Sequence, residues 1–187
     1  MTEKEFIEKL QRSRKEIVDY VRDKAPRAVG VKAVGFYKEN YRRGGYLNKG
    51  FHAWPVTRRQ MEPTAGVAGK YSPLLSKRNR LFSAIRYEYR PGRATILNDT
   101  PYAAIHNEGG EAHPRVTKEM RRYFWAMYYK KGGAKNPAAD KYKWLALTRK
   151  ERLNTRIPQR KFLYESAELD KEIRAFIKEG IRNIILQ

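Results

Sequence analysis

The chain has 187 residues, of which 41% are hydrophobic, and this suits one domain with a substantial core. It holds no cysteine, which excludes disulfides, thiolate metal sites and a cysteine nucleophile. No apolar run approaches the roughly 20 residues of a membrane span, and the charged N-terminus lacks a secretory hydrophobic region, so we expect a cytoplasmic protein that contacts no membrane.

The formal charge of +21 is concentrated in the middle of the chain. Residues 1–26 carry 7 basic and 6 acidic groups and residues 162–187 carry 4 and 5, so both ends are nearly neutral. Residues 27–99 and 111–161 each carry 15 basic and 4 acidic groups. Such a region is typical of a protein that meets a polyanion. A solubilising surface and an acidic protein partner are the alternatives.

The first predicted element is a helix over about residues 2–24. Phe6, Leu10 and later apolar residues recur at helical spacing and define one face. Thr2, followed three residues later by a glutamate, is typical of a capping box. Pro26 is predicted to end this helix, because proline has no amide hydrogen for a helix interior.

A second helix is predicted over about residues 28–43, although Gly30 and Gly35 weaken the pattern. Gly44, with a further glycine after it, is expected to end the helix. Residues 46–75 have no periodicity and are predicted to be irregular. We expect the aromatic residues of this region to hold it against the core: Phe51, Trp54 and Tyr71.

A β-hairpin is predicted over residues 83–98. Ile85, Tyr87 and Tyr89 alternate with charged residues, which is typical of a half-buried strand. The Pro91-Gly92 pair is a turn signal, and the returning strand follows it.

The stretch PYAAIHNEGGEAHP, residues 101–114, contains residue types that bind metals. His106, Glu108 and His113 are spaced H-x-E-x4-H, which is not the H-E-x-x-H spacing that places two histidines on one helical face. The chain has one further histidine, so a metal ligand set would have to draw on distant residues. We therefore favour a structural role for this stretch and expect no bound metal.

The structural interpretation places one helical turn at 101–107. Tyr102, Ile105 and His106 then face inward, and His106 hydrogen-bonds a backbone carbonyl. An exposed interface histidine is the alternative. Glycines at the next two positions would let the chain leave the turn in a left-handed conformation: Gly109 and Gly110.

A third helix is predicted over residues 116–130, with Thr117 as its N-cap. Basic and aromatic residues are interleaved along this helix. This pattern fits either stacking of nucleobases on the aromatic rings or an apolar core stripe with a basic outer face. We favour the core stripe: Met120, Phe124, Met127 and Tyr128.

The remaining chain is predicted to hold a basic loop, a second hairpin and a final helix. The loop covers residues 131–143, and the hairpin joins strands at 142–148 and 152–158. The last helix covers about 166–185, with Ser166 as its N-cap.

Four segments occur in a familiar order: GFHAWP (50–55), SPLLSKRNRLFSAIRYEY (72–89), YAAIHNEGG (102–110) and IPQRKFLYES (157–166). Together they resemble the virion morphogenesis, or tail-completion, proteins of tailed bacteriophages. That family tends to carry a Tyr-Ala-x-Ile-His-x-x-Gly-Gly turn, then Ile-Pro-x-Arg-x-Phe-Leu before the last helix. The likeness covers roughly residues 30–110 and 157–186, which makes residues 111–150 an inserted or variable basic region of a single domain over 1–187.

The resemblance implies an α+β fold with a small curved antiparallel sheet flanked by long N- and C-terminal helices. It implies a non-enzymatic virion protein, similar to head–tail connectors and tail terminators, that forms a ring through which DNA passes. The expected partners are copies of itself and neck, connector or tail-tube proteins. The protein would lie at the neck or head-proximal end of the tail, and in the host cytoplasm during assembly.

Residues with structural or interface roles are expected in the last two motifs: Tyr102, His106, Gly109, Gly110, Pro158, Arg160 and Phe162. Phe162 is predicted to anchor its segment in the core, while Arg160 is either a surface arginine or part of a salt bridge, within the chain to Glu108 or Glu165 or between subunits. Residues that could line a DNA channel are basic: Arg78, Arg80, Arg121, Arg122, Lys130 and Lys131.

An enzyme is not indicated. No Gly-x-Ser-x-Gly elbow and no phosphate-binding Gly-rich loop is present, so no catalytic residue or cofactor is expected. A soluble, sequence-nonspecific nucleic-acid-binding protein that uses the basic middle region is the alternative function.

Overall fold

The computed structural model describes residues 2–61 and 69–186. Seven α-helices lie in these residues: α1 (Glu3–Asp19), α2 (Ala25–Arg43), α3 (Arg80–Ser83), α4 (Ala103–Glu108), α5 (Lys118–Lys130), α6 (Asp140–Leu147) and α7 (Ala167–Leu186). Six strands form antiparallel pairs: β1 (Gly45–Leu47) with β2 (Phe51–Ala53), β3 (Arg86–Arg90) with β4 (Arg93–Leu97), and β5 (Gly110–Ala112) with β6 (Thr155–Ile157). The α+β class is confirmed. Within the described residues the sheet is divided into three separate pairs, where the resemblance implies one curved sheet.

The chain forms two compact units. The first, Met1–Glu108 with Pro158–Gln187, contains α1 to α4, α7 and the first two hairpins. The second, Gly109–Ile157, contains α5, α6 and the β5–β6 pair. The region 111–150, expected to be an insertion, lies wholly within the second unit.

The prediction that the first helix ends at Pro26 is wrong. A π-helical segment, Tyr20–Lys24, joins α1 directly to α2. Pro26 cannot donate to the carbonyl of Arg22 four residues earlier, and this carbonyl accepts a bond from the Gly92 amide instead, at 2.7 Å. The β3–β4 turn therefore satisfies the group that proline leaves free, and the chain stays helical to Arg43.

The core of the first unit is centred on Tyr41 of α2, which is fully buried. Its ring meets Trp54, Phe162 and Phe82 edge-on, with ring centroids 5.3, 5.4 and 6.0 Å away. Burial raises the pKa of the Tyr41 hydroxyl, which stays protonated. This aromatic cluster joins α2 to segments that lie far along the chain.

The region predicted to be irregular, 46–75, contains part of a hairpin that the sequence did not reveal. β1 pairs with β2, and Tyr46 stacks on His52 across it, with ring centroids 4.8 Å apart. Trp54 is buried as expected, but Phe51 is exposed. Residues 62–68 of this region lie outside the described residues.

The predicted hairpin over 83–98 and the predicted last helix are confirmed. β3 and β4 pair in register from Arg86 opposite Leu97 to Arg90 opposite Arg93. α7 begins after Ser166, whose hydroxyl accepts the Leu169 amide as an N-cap, at 3.3 Å.

In the second unit, Thr117 caps α5 as predicted, accepting the Met120 amide at 3.2 Å. The strand predicted at 142–148 is instead helix α6, which packs against α5: Ala146 is buried, and its carbonyl accepts a hydrogen bond from the Arg121 guanidinium. The second predicted hairpin is therefore wrong. β6 falls within the predicted 152–158 strand, but its partner is β5.

Candidate functional site at the junction of three motifs

In the first unit, the motif at 50–55 meets residues 102–108 and 158–166 of two other motifs. We call the place where they meet the junction. At its centre are residues 160–166, which we call the strap. The strap has no regular secondary structure, so its backbone groups need partners from elsewhere. Phe162 is 1% exposed and anchors the strap in the aromatic core, which confirms its predicted role.

Asn107 is the main partner of the strap. Its Oδ1 accepts the backbone amides of Phe162 and Leu163, both at 2.9 Å. Its Nδ2 donates to the Leu163 carbonyl at 3.0 Å. One side chain thus replaces three contacts that a neighbouring strand would supply. Sequence analysis missed Asn107, whose only signal was its place beside His106 in the motif.

The GFHAWP motif holds the start of the strap. The Trp54 indole Nε1 donates to the Lys161 carbonyl at 3.1 Å. The guanidinium of Arg160 donates to the Pro55 carbonyl from Nε at 3.2 Å and from Nη2 at 3.0 Å. The backbone amide of Arg160 donates to the His106 carbonyl at 2.8 Å. All three motifs are therefore linked by direct hydrogen bonds.

Arg160 differs from two of the interpretations drawn from the sequence, the surface arginine and the salt bridge within the chain, while a salt bridge between subunits stays a prediction. It is 5% exposed, so it is not a surface arginine. Within the described residues its guanidinium contacts a carbonyl oxygen and no carboxylate, so the expected salt bridge to Glu108 or Glu165 is wrong. Burial, followed by the charge of Arg59, lowers the pKa of Arg160. Arg160 is held inside the junction by the hydrogen bonds of its guanidinium to the Pro55 carbonyl and of its amide to the His106 carbonyl.

The end of the strap is fastened to α2 and β1. Tyr37 donates its hydroxyl to the Tyr164 carbonyl at 2.6 Å. The Tyr164 hydroxyl accepts from Asn40 Nδ2 and from the Leu47 amide, each at 2.7 Å. Burial raises the pKa of Tyr164 to about 12, so this hydroxyl remains a neutral donor and acceptor.

The turn before the junction is close to its predicted form. α4 provides the helical turn, and Gly109 and Gly110 follow it with φ of 74° and 140°, in the region that favours glycine. Tyr102 is 38% exposed, so its expected inward orientation is wrong. Its ring packs edge-on against His106, with centroids 5.9 Å apart.

His106 is half-buried, but the carbonyl bond expected from its ring is not formed. Its Nδ1 is buried and has no hydrogen-bond partner in the described residues. Burial lowers the pKa of the imidazole below its ordinary value of 6.5, and the nearby charge of Arg160 lowers it further. The ring is consequently neutral at pH 7 and acts as a packing group between Tyr102 and the strap.

We expect the His106→Gln substitution to reduce the loss in the free energy of unfolding that occurs as the pH is lowered. Because the unfolded chain takes up a proton that the folded chain resists, stability falls as the pH drops from about 6.5 through the lowered pKa. Urea unfolding at about pH 8 and about pH 5 measures this loss. The wild type should lose more stability over the interval than the variant, and equal losses would contradict the prediction.

The basic residues expected to face DNA lie in both units. Arg78 and Arg80 are exposed and line a cavity of about 300 Å³ in the first unit. In the second unit Arg122 and Lys130 are exposed on α5. Arg121 is half-buried and donates to the Ala146 carbonyl at 2.7 Å, so its guanidinium serves the packing of α5 on α6. Lys131 is also half-buried. A DNA-facing role for the exposed members stays a prediction.

We also looked for groups of metal ligands, for membrane-spanning helices and for similar proteins. Within residues 2–61 and 69–186, no group of three or more His, Cys, Asp or Glu side chains could hold a metal ion. In the same part of the chain, no helix combines the length and apolar character needed to cross a bilayer. Scans of family models and searches of curated proteins and solved structures found no match to this chain.

Proposed function

We propose that this chain is a structural protein of a tailed-bacteriophage virion, which completes the tail or joins it to the head as a ring oligomer around the DNA passage. The observation that carries the proposal is the junction. The motifs on which the resemblance rests use their polar groups to hold each other: Trp54 and Pro55, His106 and Asn107, and the strap from Arg160 to Tyr164. Because the polar groups of these motifs are used to hold the fold together, the motifs favour a structural protein over a catalyst.

The charge distribution supports the same proposal. Phosphate contacts with a basic lining do not depend on DNA sequence, and salt screens them, so they suit a channel through which a whole genome passes. The exposed arginines Arg78, Arg80 and Arg122 are available for such contacts. The nearly neutral ends of the chain would avoid like-charge repulsion between neighbouring copies.

Deletion of the gene from the phage that carries it tests the proposal. We expect lysates to contain separate heads and tails, or tails of abnormal end structure, in electron micrographs. Supplying the wild-type chain from a plasmid should restore joined, infectious particles. Normal virions in the absence of the chain would refute the proposal.

A nucleic-acid-binding protein is the second candidate, and the second unit favours it. Residues 109–157 carry 13 basic and 4 acidic groups, and three aromatic side chains there are largely exposed: Tyr123, Tyr129 and Trp144. This candidate requires tight DNA or RNA binding by a monomer or dimer, with affinity that falls steeply as salt is raised. The second candidate would be favoured if the chain binds nucleic acid in this way and the phage joins its heads and tails without it.

A further inference from the structure

The outer faces of α1 and of the end of α7 are apolar and uncovered. None of the 17 residues of α1 is buried. Phe6, Leu10 and Val18 are each about half exposed, and Ile185 and Leu186 of α7 are more so. A helix of this amphipathic character ordinarily buries its apolar face against another element, which the described residues do not supply here.

The two helices form a groove of about 590 Å³. Its apolar lining comes mainly from α1, with one residue of α7 at its edge: Phe6, Leu10, Ile17 and Val18, and Ile185. Tyr20 lies directly over Gly180, where a β-carbon would overlap its ring, so α7 approaches closely at this point. The groove is therefore already formed in the single chain.

The charges around the groove indicate what kind of partner could bind there. Lys9 and Arg14 border it, and Glu8 and Glu16 line the adjoining cleft together with Lys9. Both signs are present, and the terminal 26 residues at each end are nearly neutral in a chain of net charge +21. A nucleic acid or an acidic partner would find stronger attraction at the middle of the chain. A cationic partner would be repelled by the basic middle region unless a nearly neutral face of that partner met the groove.

A second copy of this chain fits these conditions. Two copies that approach through their basic middle regions would bring together segments of net charge +11. Copies that meet at α1 and α7 bury apolar side chains on a surface whose charges nearly balance. We propose that the α1–α7 groove is the self-association surface of this protein. This inference rests on the proposed ring assembly: contact through the same groove in both copies gives a two-fold pair, which would be one kind of subunit contact within that assembly.

Sedimentation or light scattering over a range of protein concentrations tests the surface. Leu10→Glu is expected to raise the dissociation constant of self-association roughly tenfold or more, because it places a charge in the apolar groove. Val31→Glu is the matched control: it also replaces an exposed aliphatic side chain by glutamate, at a residue of α2 that is 62% exposed and outside the groove. Circular dichroism should show both variants folded, since Leu10 is itself 54% exposed.

Because the chain has no cysteine, single cysteines report directly on coverage of the groove. The thiol of a Leu10→Cys variant should react more slowly with a disulfide reagent as association proceeds, while that of Val31→Cys should not. A wild-type chain that stays monomeric overturns the proposal. The proposal is also overturned if Leu10→Glu leaves association unchanged and the Leu10→Cys thiol stays reactive. That result would not contradict the proposed virion role. Loss of the virion role is seen separately, in the deletion experiment.

Discussion

Asn107→Ala is expected to lower the free energy of unfolding by about 3 kcal/mol, since each buried polar group left unpaired costs roughly 1–3 kcal/mol. The substitution removes the acceptor for two strap amides and the donor for one strap carbonyl. Water can replace some of these partners at the half-buried Leu163, but not easily at the buried Phe162 amide. Urea unfolding followed by circular dichroism measures the change.

Asn183→Ala is the matched control for this prediction. Asn183 is exposed on α7, and alanine has a higher helix propensity, so the control should change stability by less than about 0.5 kcal/mol. Similar effects at the two positions would show that Asn107 does not hold the strap. The comparison therefore separates the junction from the general cost of removing an amide.

Alanine substitutions at Gly30 and Gly35 of α2 are expected to change stability in opposite directions. A β-carbon at Gly30 would overlap the ring of Tyr87 on β3, near the attached end of that ring, so Gly30→Ala should destabilise the fold by about 1–3 kcal/mol. At Gly35 nothing lies within 4 Å of the added carbon, so Gly35→Ala should stabilise the helix by up to about 1 kcal/mol.

Thermal unfolding of both variants beside the wild type measures the two effects. The matched pair shares one helix and one chemical change, so helix propensity contributes equally to both. The difference between them isolates the contact between α2 and the β3–β4 hairpin. A gain of stability at both positions would mean that Tyr87 moves aside without cost.

Local signals were sufficient for several elements. The Thr2 and Thr117 caps, the Pro91-Gly92 turn and the alternation from Ile85 to Tyr89 depend on residues close in sequence, and each was predicted correctly. The left-handed glycines after α4 belong to the same group. Propensity, capping and turn chemistry act over a few residues, which is why the sequence alone revealed them.

Residues whose partners lie far along the chain could not be assigned in this way. Pro26 indicates a helix end, but the Gly92 amide, 66 positions later, satisfies the carbonyl that proline leaves free. The segment 142–148 has strand-like composition, yet it packs as helix α6 in contact with α5, through Arg121 and the Ala146 carbonyl.

The candidate site follows the same division. The order of the motifs, the core position of Phe162 and the excess of positive charge in the middle of the chain follow from the amino-acid sequence, and the resemblance implied the α+β class. The burial of Arg160 against the Pro55 carbonyl and the hold of Asn107 on the strap emerge only in the folded molecule. The reason is physical: a buried polar group must find a hydrogen-bond partner, and the fold, not the neighbouring sequence, brings that partner within reach.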